Sequence, residues 1–322
     1  MKKIISASFR VFISIVLLLV LFRKIDFKGM LRVIARLNPL YFTSAIVIFL
    51  IIYLLVFYRW KMLLDTRKAG LSSLRVFSSF SGGLFFNLFT PSTIGGDLSR
   101  SIDLGAHTKR YGVIAATVLL DRLSGFAGLV TVAIISLIFG HRLISDFSVY
   151  ATVLLMAFLL IGVFLILFNQ GIYERLNRSV SKRGKLWENF KKLHSEIYFF
   201  RRHRAVLYAN LGCSILIQAG ASLFSYFLLR SLNTRISIIY PFVFNPVITV
   251  ITTLPISIGG LGLRDASSIF FYSKAGVAKD VALAQSLLNF ALIVSFGLIA
   301  GIIYVSTLRY RRLQPHQTDA RS

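Results

Sequence analysis

Eight apolar runs, near 4–22, 39–58, 76–90, 112–139, 149–168, 205–229, 236–254 and 280–305, divide this chain almost from end to end. A helix rises 1.5 Å per residue, so roughly 20 apolar residues cross a bilayer core of about 30 Å. Most of the runs meet that length, and there are too many of them for one aqueous core. Hydrophobic residues make up 56% of the chain, and the 15% that are charged cluster between the runs. The pattern predicts an all-α polytopic membrane protein over 1–322. The basic start and apolar stretch at 1–22 lack a small-x-small cleavage site, which predicts an uncleaved first span.

The net charge of +25 sits at the flanks of the runs. That placement fits anionic lipid headgroups and the positive-inside bias rather than nucleic acid. One cysteine, Cys213, excludes an intrachain disulfide, and the five histidines show no ligand spacing. No metal site and no cofactor is expected. Walker, Asp-x-Asp, His-Glu-x-x-His and nucleophile-elbow motifs are all missing, so no catalytic residue is assigned and an enzyme is not the expected class.

Two of the runs are weak. Residues 76–90 carry Ser78, Ser79, Ser81, Gly82, Gly83 and Asn87, and 236–254 is interrupted by Pro241 and Pro246. Each leads into the same phrase: "LFTPSTIGGDLSR" at 88–100, and "TTLPISIGGLGLR" at 252–264. If the weak runs enter and leave on one face, six full crossings remain, with both termini inside. Lys and Arg then divide 25 inside to 11 outside, against 21 to 15 if all eight runs cross. The re-entrant topology is therefore expected, with both termini cytoplasmic. Three crossings separate the phrases, so they face opposite sides, as in inverted-repeat transporters. The halves are expected at 1–140 and 205–308. Between them, 169–204 reads as a basic cytoplasmic loop. Leu186, Phe190, Leu193, Ile197 and Phe200 share one helical face there, as on a helix at the headgroup layer, although a solvated connector stays open. The tail at 313–322 reads as disordered.

The phrase has a physical meaning. Pro91 and Pro255 disrupt a helix, and Gly95–Gly96 and Gly259–Gly260 admit close backbone approach. Amides freed at such a break suit a phosphate or carboxylate. Arg100 and Arg264 each follow the second glycine by four residues, and arginine's planar fork matches phosphate oxygens. Asp97 lies one turn before Arg100, while in the second copy Asp265 directly follows Arg264. Asp121 and Arg122 fall about 15 Å into the 112–139 run, where ionisable groups are costly and point to function. Arg122 is placed to meet Asp97, and Asp121 to meet Arg100 or Arg264. A purely structural role stays open for these residues: glycine pairs for packing, arginines reaching an interface, a buried ion pair.

"PSTIGGDLSR", "LLDRLSGFAGL" and "LPISIGGLGLRDA" resemble the signature segments of the lysylphosphatidylglycerol synthase transmembrane-region family, also called flippase-like integral membrane proteins. The resemblance covers nearly the whole chain. In the full-length synthase, this region precedes a soluble domain that attaches lysine to phosphatidylglycerol, and it is thought to move the product between leaflets. The present chain resembles the membrane part alone. The family favours Gly-Gly-Asp-x-x-Arg, kept here as Gly95-Gly96-Asp97-Arg100. It often has Glu-Arg where this chain has Asp121-Arg122, and Arg-Glu where it has Arg264-Asp265. Some members have been connected with polyprenyl-linked sugar transfer.

The expectation is therefore a flippase-like protein of an inner (plasma) membrane. It would move an anionic or aminoacylated phospholipid, or a polyprenyl-phosphate-linked lipid, between leaflets. Gly95, Gly96, Asp97, Arg100, Asp121, Arg122, Gly259, Gly260, Arg264 and Asp265 form the expected substrate site. An accessory subunit to a separate soluble glycosyl or aminoacyl transferase, a small-solute transporter and a lipid-binding structural subunit are the alternatives.

Overall fold

The computed structural model describes residues 34–90, 94–142, 147–171, 184–253 and 262–312, together with Arg32 and Glu174. In chain order the helices are α1 (Pro39–Thr66), α2 (Ser73–Asn87), α3 (Ile94–Thr108), α4 (Tyr111–Gly140) and α5 (Phe147–Phe168). They continue as α6 (Lys185–Tyr198), α7 (Arg204–Ser231), α8 (Ile239–Thr253), α9 (Leu263–Lys274) and α10 (Lys279–Arg312), with a 3₁₀ turn at Phe199–Arg202. No strand occurs among the described residues. Five helices, α1, α4, α5, α7 and α10, are long and apolar enough to cross a membrane. They match five of the six expected crossings; the expected span at 4–22 and the tail at 313–322 lie outside the described residues. On α5, Leu154 is 68% and Phe158 74% exposed. So apolar an exposed surface belongs in lipid. The protein is an all-α, multi-pass membrane protein.

Local chemistry sets the helix ends. The Asn38 side chain accepts from the amides of Leu40 and Tyr41 at 3.0 and 3.4 Å, and Pro39 fills the first helical position of α1. The Ser72 hydroxyl caps α2 through the Arg75 amide. α1 runs on to Thr66, eight residues beyond the expected apolar run, because Trp60, Leu63 and Leu64 continue its buried face. Arg59 and Lys61, which follow the expected apolar run, therefore belong to the helix. Arg59, Arg100 and Arg264 are all buried within helices; without them the expected division becomes 23 basic residues to 10.

α1 and α7, both 28 residues long, run antiparallel. The Asn38 amide meets the Ser231 carbonyl at 2.7 Å at one end of the pair, and the Asn210 side chain reaches the Arg59 carbonyl at 3.0 Å toward the other. Phe49 packs against Phe224 between them. α2 and α3 form a hairpin that opens where α1 ends, its mouth tied by two Arg75–Asp103 contacts of 2.8 and 2.9 Å. α8 and α9 form a second hairpin that opens where α7 ends. Since α1 and α7 are antiparallel, the hairpins enter from opposite ends of the bundle. Each arm of 12 to 15 residues spans at most about 22 Å, short of a crossing.

The halves interlock. α2 lies along α10, with Phe85 against Gly301 and Leu88 against Gly297, while α8 lies along α4. α6 docks on the bundle end. Its Leu193 and Ile197, with Phe200 of the following turn, pack on Leu63, Ala116, Leu120 and Leu167. Arg67 pairs with Glu196 and stacks over Phe199 at 4.1 Å. This part of the expected apolar face is thus covered by protein, because the ends of α1, α4 and α5 present a matching apolar surface. The side chains of Leu186 and Phe190 lie outside the described residues.

Candidate functional site

The first hairpin closes on a backbone contact. Gly96, buried in the first turn of α3, lies against Gly83 of α2; a Cβ on Gly96 would stand 2.2 Å from the Gly83 carbonyl oxygen and 2.5 Å from the Asn87 side-chain oxygen. Only glycine permits that approach. The Gly96 N–H donates to Asn87 Oδ1 at 2.8 Å. Asn87 thereby satisfies an amide that the break would otherwise leave open, so this donor is already engaged.

Behind the glycine contact, α3 and α4 bring four of the expected residues together. Arg100 Nη2 lies 2.9 Å from Asp97 Oδ1 and 3.1 Å from Asp121 Oδ2, and Arg122 Nε lies 2.5 Å from Asp97 Oδ2. The fifth member was not anticipated. Arg59 of α1 places Nε 2.8 Å from Asp121 Oδ1 and donates to Ser214 of α7 at 3.1 Å. The charges alternate along a chain, Arg59–Asp121–Arg100–Asp97–Arg122. Arg59, Arg100 and Asp121 are 6%, 5% and 2% exposed, while the Arg122 side chain is 39% exposed. The Arg100 guanidinium also stacks over the Trp60 ring at 4.4 Å, and the Trp60 indole donates to Thr117 at 3.3 Å. Arg100 Nε is buried with no hydrogen-bond partner among the described residues.

These charges line a cavity of about 710 Å³. That volume is in the range of pockets that hold organic ligands. Gly83, Asn87 and Gly96 of the hairpin form part of its wall, and Phe80, Leu119, Phe126 and Ile217 make much of the rest apolar. Gln218 of α7 and Thr249 of α8 add neutral polar groups. Three arginines against two aspartates leave a formal charge of +1 among these residues. Charges this deep in a membrane protein are retained for function or held by full pairing, and here all but one of the guanidiniums are deeply buried.

Arg264 and Asp265 form a second buried group. Arg264 Nε donates to Ser286 at 2.9 Å, Nη2 lies 3.1 Å from Asp265 Oδ1, and the guanidinium stands over Phe290 at 5.0 Å. Asp265 Oδ1 also accepts from Ser286 at 2.6 Å, while Oδ2 accepts the Gly262 amide at 3.0 Å. Gly262, at φ +76°, makes a turn that other residues rarely adopt. This group fastens α9 to α10. Arg264 and Asp265 are not among the described residues lining the cavity. Gly259 and Gly260 lie outside the described residues.

Arg59, Trp60, Thr117, Ser214 and Ser286 are partners that sequence reasoning missed. Arg59–Trp60 carried one usable signal: no helix breaker stands between the apolar run and Lys68, so the helix was bound to carry them onward.

The family described as Lysylphosphatidylglycerol synthase TM region matches residues 8–301. A UPF0104 membrane protein of Methanothermobacter thermautotrophicus is 26% identical over 294 residues, 83% of this chain and 86% of its own length. Those of Methanocaldococcus jannaschii and Pyrococcus horikoshii are 21% and 19% identical, covering 96% and 94% of this chain and 96% and 97% of their own lengths. No solved structure matches.

Proposed function

The chain belongs to the lysylphosphatidylglycerol synthase TM region family, and from that premise we propose that it passes a lipid with an anionic headgroup between the leaflets of a bacterial-type inner membrane. The observation that carries this reading is the cationic cavity: guanidiniums from α1, α3 and α4 converge in a space whose remaining walls are largely apolar. A headgroup phosphate is drawn to the arginines, and its acyl or prenyl chains stay beside apolar helices. The segments 39–140 and 204–312 act as inverted repeats, one rocking against the other, with both termini cytoplasmic. The antiparallel α1 and α7, and hairpins entering from opposite ends, support that motion. Arg264 and Asp265 brace the second hairpin during it.

The test is reconstitution of the purified protein in liposomes with fluorescent phospholipids and polyprenyl phosphates, following the fraction accessible to an external quencher. Wild type should exceed the protein-free rate at least tenfold for an anionic lipid, and Arg100→Ala should lose most of that gain. Movement of every tested lipid at the protein-free rate would refute the proposal. Retained lipid binding in that case would point instead to a lipid-binding subunit.

A further inference from the structure

We infer that a buried group of neutral oxygens between α7, α8 and α9 binds a small monovalent cation such as sodium. The group begins on one face of α7. Ser214, Gln218, Ser222 and Ser225 recur there at steps of four, four and three, which makes a polar stripe along the helix. Ser214 meets Arg59 at 3.1 Å, and Gln218 lines the cavity, where its amide donates to the Gly125 carbonyl at 3.5 Å. The stripe then runs on past the cavity. Ser225 donates to Asn245 Oδ1 of α8 at 3.1 Å, and the Tyr272 hydroxyl of α9 is turned toward Ser225.

Several of these oxygens are unspent. Ser214, Ser231 and Thr249 return their hydroxyls to carbonyls of their own helices at 2.9, 2.7 and 2.8 Å. Ser222, 0% exposed, does not. Its hydroxyl and that of Tyr272, 1% exposed, complete no hydrogen bond among the described residues. α8 adds spare acceptors. Pro246 stands inside that helix and has no amide hydrogen to give the Phe242 carbonyl, one turn before it. Asn245 Oδ1 keeps a second lone pair. Buried polar atoms cost free energy until a partner arrives, and oxygens short of donors are met by a cation. Ser222, Ser225, Asn245 and Tyr272 include no carboxylate, so their dipoles suit one positive charge rather than two.

The arginines on the same helices are spent elsewhere. Arg59 meets α7 at Ser214, eight residues or roughly 12 Å before Ser222, and is paired with Asp121. Arg264 precedes Tyr272 by eight residues and is paired with Asp265. The oxygen group nonetheless borders the cavity: Ser222 follows Gln218 by one turn, Asn245 precedes Thr249 by one turn, and Gln218 and Thr249 both stand in the cavity wall. A cation in the one place and an anion in the other favour each other, and the effect is reciprocal. On the reading of the cavity as a headgroup site, sodium therefore assists lipid movement; the cation site itself does not depend on that reading.

The test is binding of radioactive sodium ion to the purified full chain in detergent, with choline chloride holding the ionic strength constant. Wild type should bind sodium saturably. Ser222→Ala and Tyr272→Phe each delete a hydroxyl that completes no hydrogen bond, so both should fold and keep their unfolding temperature in choline. Each should raise the half-saturating sodium concentration at least fivefold, and sodium should no longer raise their unfolding temperature as it does that of wild type. Absence of saturable binding by wild type leaves water as the occupant and overturns the inference. Binding that survives both deletions unchanged places the ion elsewhere and overturns it too. In liposomes, replacing sodium by choline should slow wild-type leaflet exchange severalfold. Sodium binding without leaflet exchange in either salt refutes only the transport reading, and exchange without sodium binding refutes only this inference.

Discussion

Arg59 of α1 and Asp121 of α4 pair at 2.8 Å inside the bundle, 62 residues apart in the chain. Asp121 also holds Arg100 at 3.1 Å, so one carboxylate compensates two buried guanidiniums. Removing it strands Arg59 and leaves Arg100 with Asp97 alone. Asp121→Ala should cost about 3–5 kcal/mol, the range for breaking a buried ion pair from one side. Arg59→Met/Asp121→Leu should cost less than the sum of its single changes, since the Arg59 charge no longer stands without its partner, while Arg100 still loses Asp121. Thermal unfolding in detergent, run as a double-mutant cycle, checks both statements; additive losses would mean that the pair is not coupled.

Gly96→Ala places a methyl 2.2 Å from the Gly83 carbonyl oxygen, a backbone atom that moves only if the hairpin opens. Overpacking of this kind costs about 1–3 kcal/mol. The change should lower the unfolding temperature and slow lipid movement together. Gly112→Ala is the control, because an added Cβ there meets nothing within 4 Å. Equal effects of the two would show that the hairpin contact is slack.

Trp60 serves Arg100 in two separable ways, as an aromatic face at 4.4 Å and as an indole fixed to Thr117 at 3.3 Å. Trp60→Phe keeps the first and removes the second, so a loss of about 1 kcal/mol is expected. Trp60→Leu removes both and adds a cavity, so a loss of about 3 kcal/mol or more is expected. Comparable losses from the two substitutions would show that the stacking contributes nothing.

His194 of α6 is buried at the docking surface, stacked on Tyr198 with ring centroids 5.9 Å apart. Burial lowers its pKa from the ordinary 6.5, against the opposing effect of the Ile166 and Leu167 carbonyls. The docked state therefore holds the neutral ring, and the undocked state takes up a proton first. Docking is at full strength above pH 6.5 and weakens as pH falls below that value. Hydrogen exchange over 188–200 should accelerate between pH 7.5 and 5.5 beyond the intrinsic change, and His194→Phe should remove the excess. An excess that survives the substitution would assign the effect to another group.

How far the molecule was legible depends on what each signal measures. The membrane-length helices were visible because lipid demands long apolar runs, and Leu154 and Phe158 of α5 belong to such a run. The local pairs were visible because spacing along a helix decides them: Asp97 and Arg100 lie one turn apart. The end of α1 was misplaced because Arg59 and Lys61 look like the start of a loop when apolarity alone is counted. Their side chains instead find partners, Asp121 and Asp65, at 2.8 and 2.5 Å.

The linear pattern alone established that this is an all-helical membrane protein with a doubled proline–glycine–arginine phrase, since apolar length and helix-breaking chemistry are properties of neighbouring residues. Tertiary packing alone decided which charges meet. Arg59 reaches Asp121 only because α1 crosses α4 beside α7, and Arg264 turns to Ser286 on α10 instead of joining Arg100. A buried charge settles wherever the folded helices bring its counter-charge, and that place is not written in the spacing of its own segment.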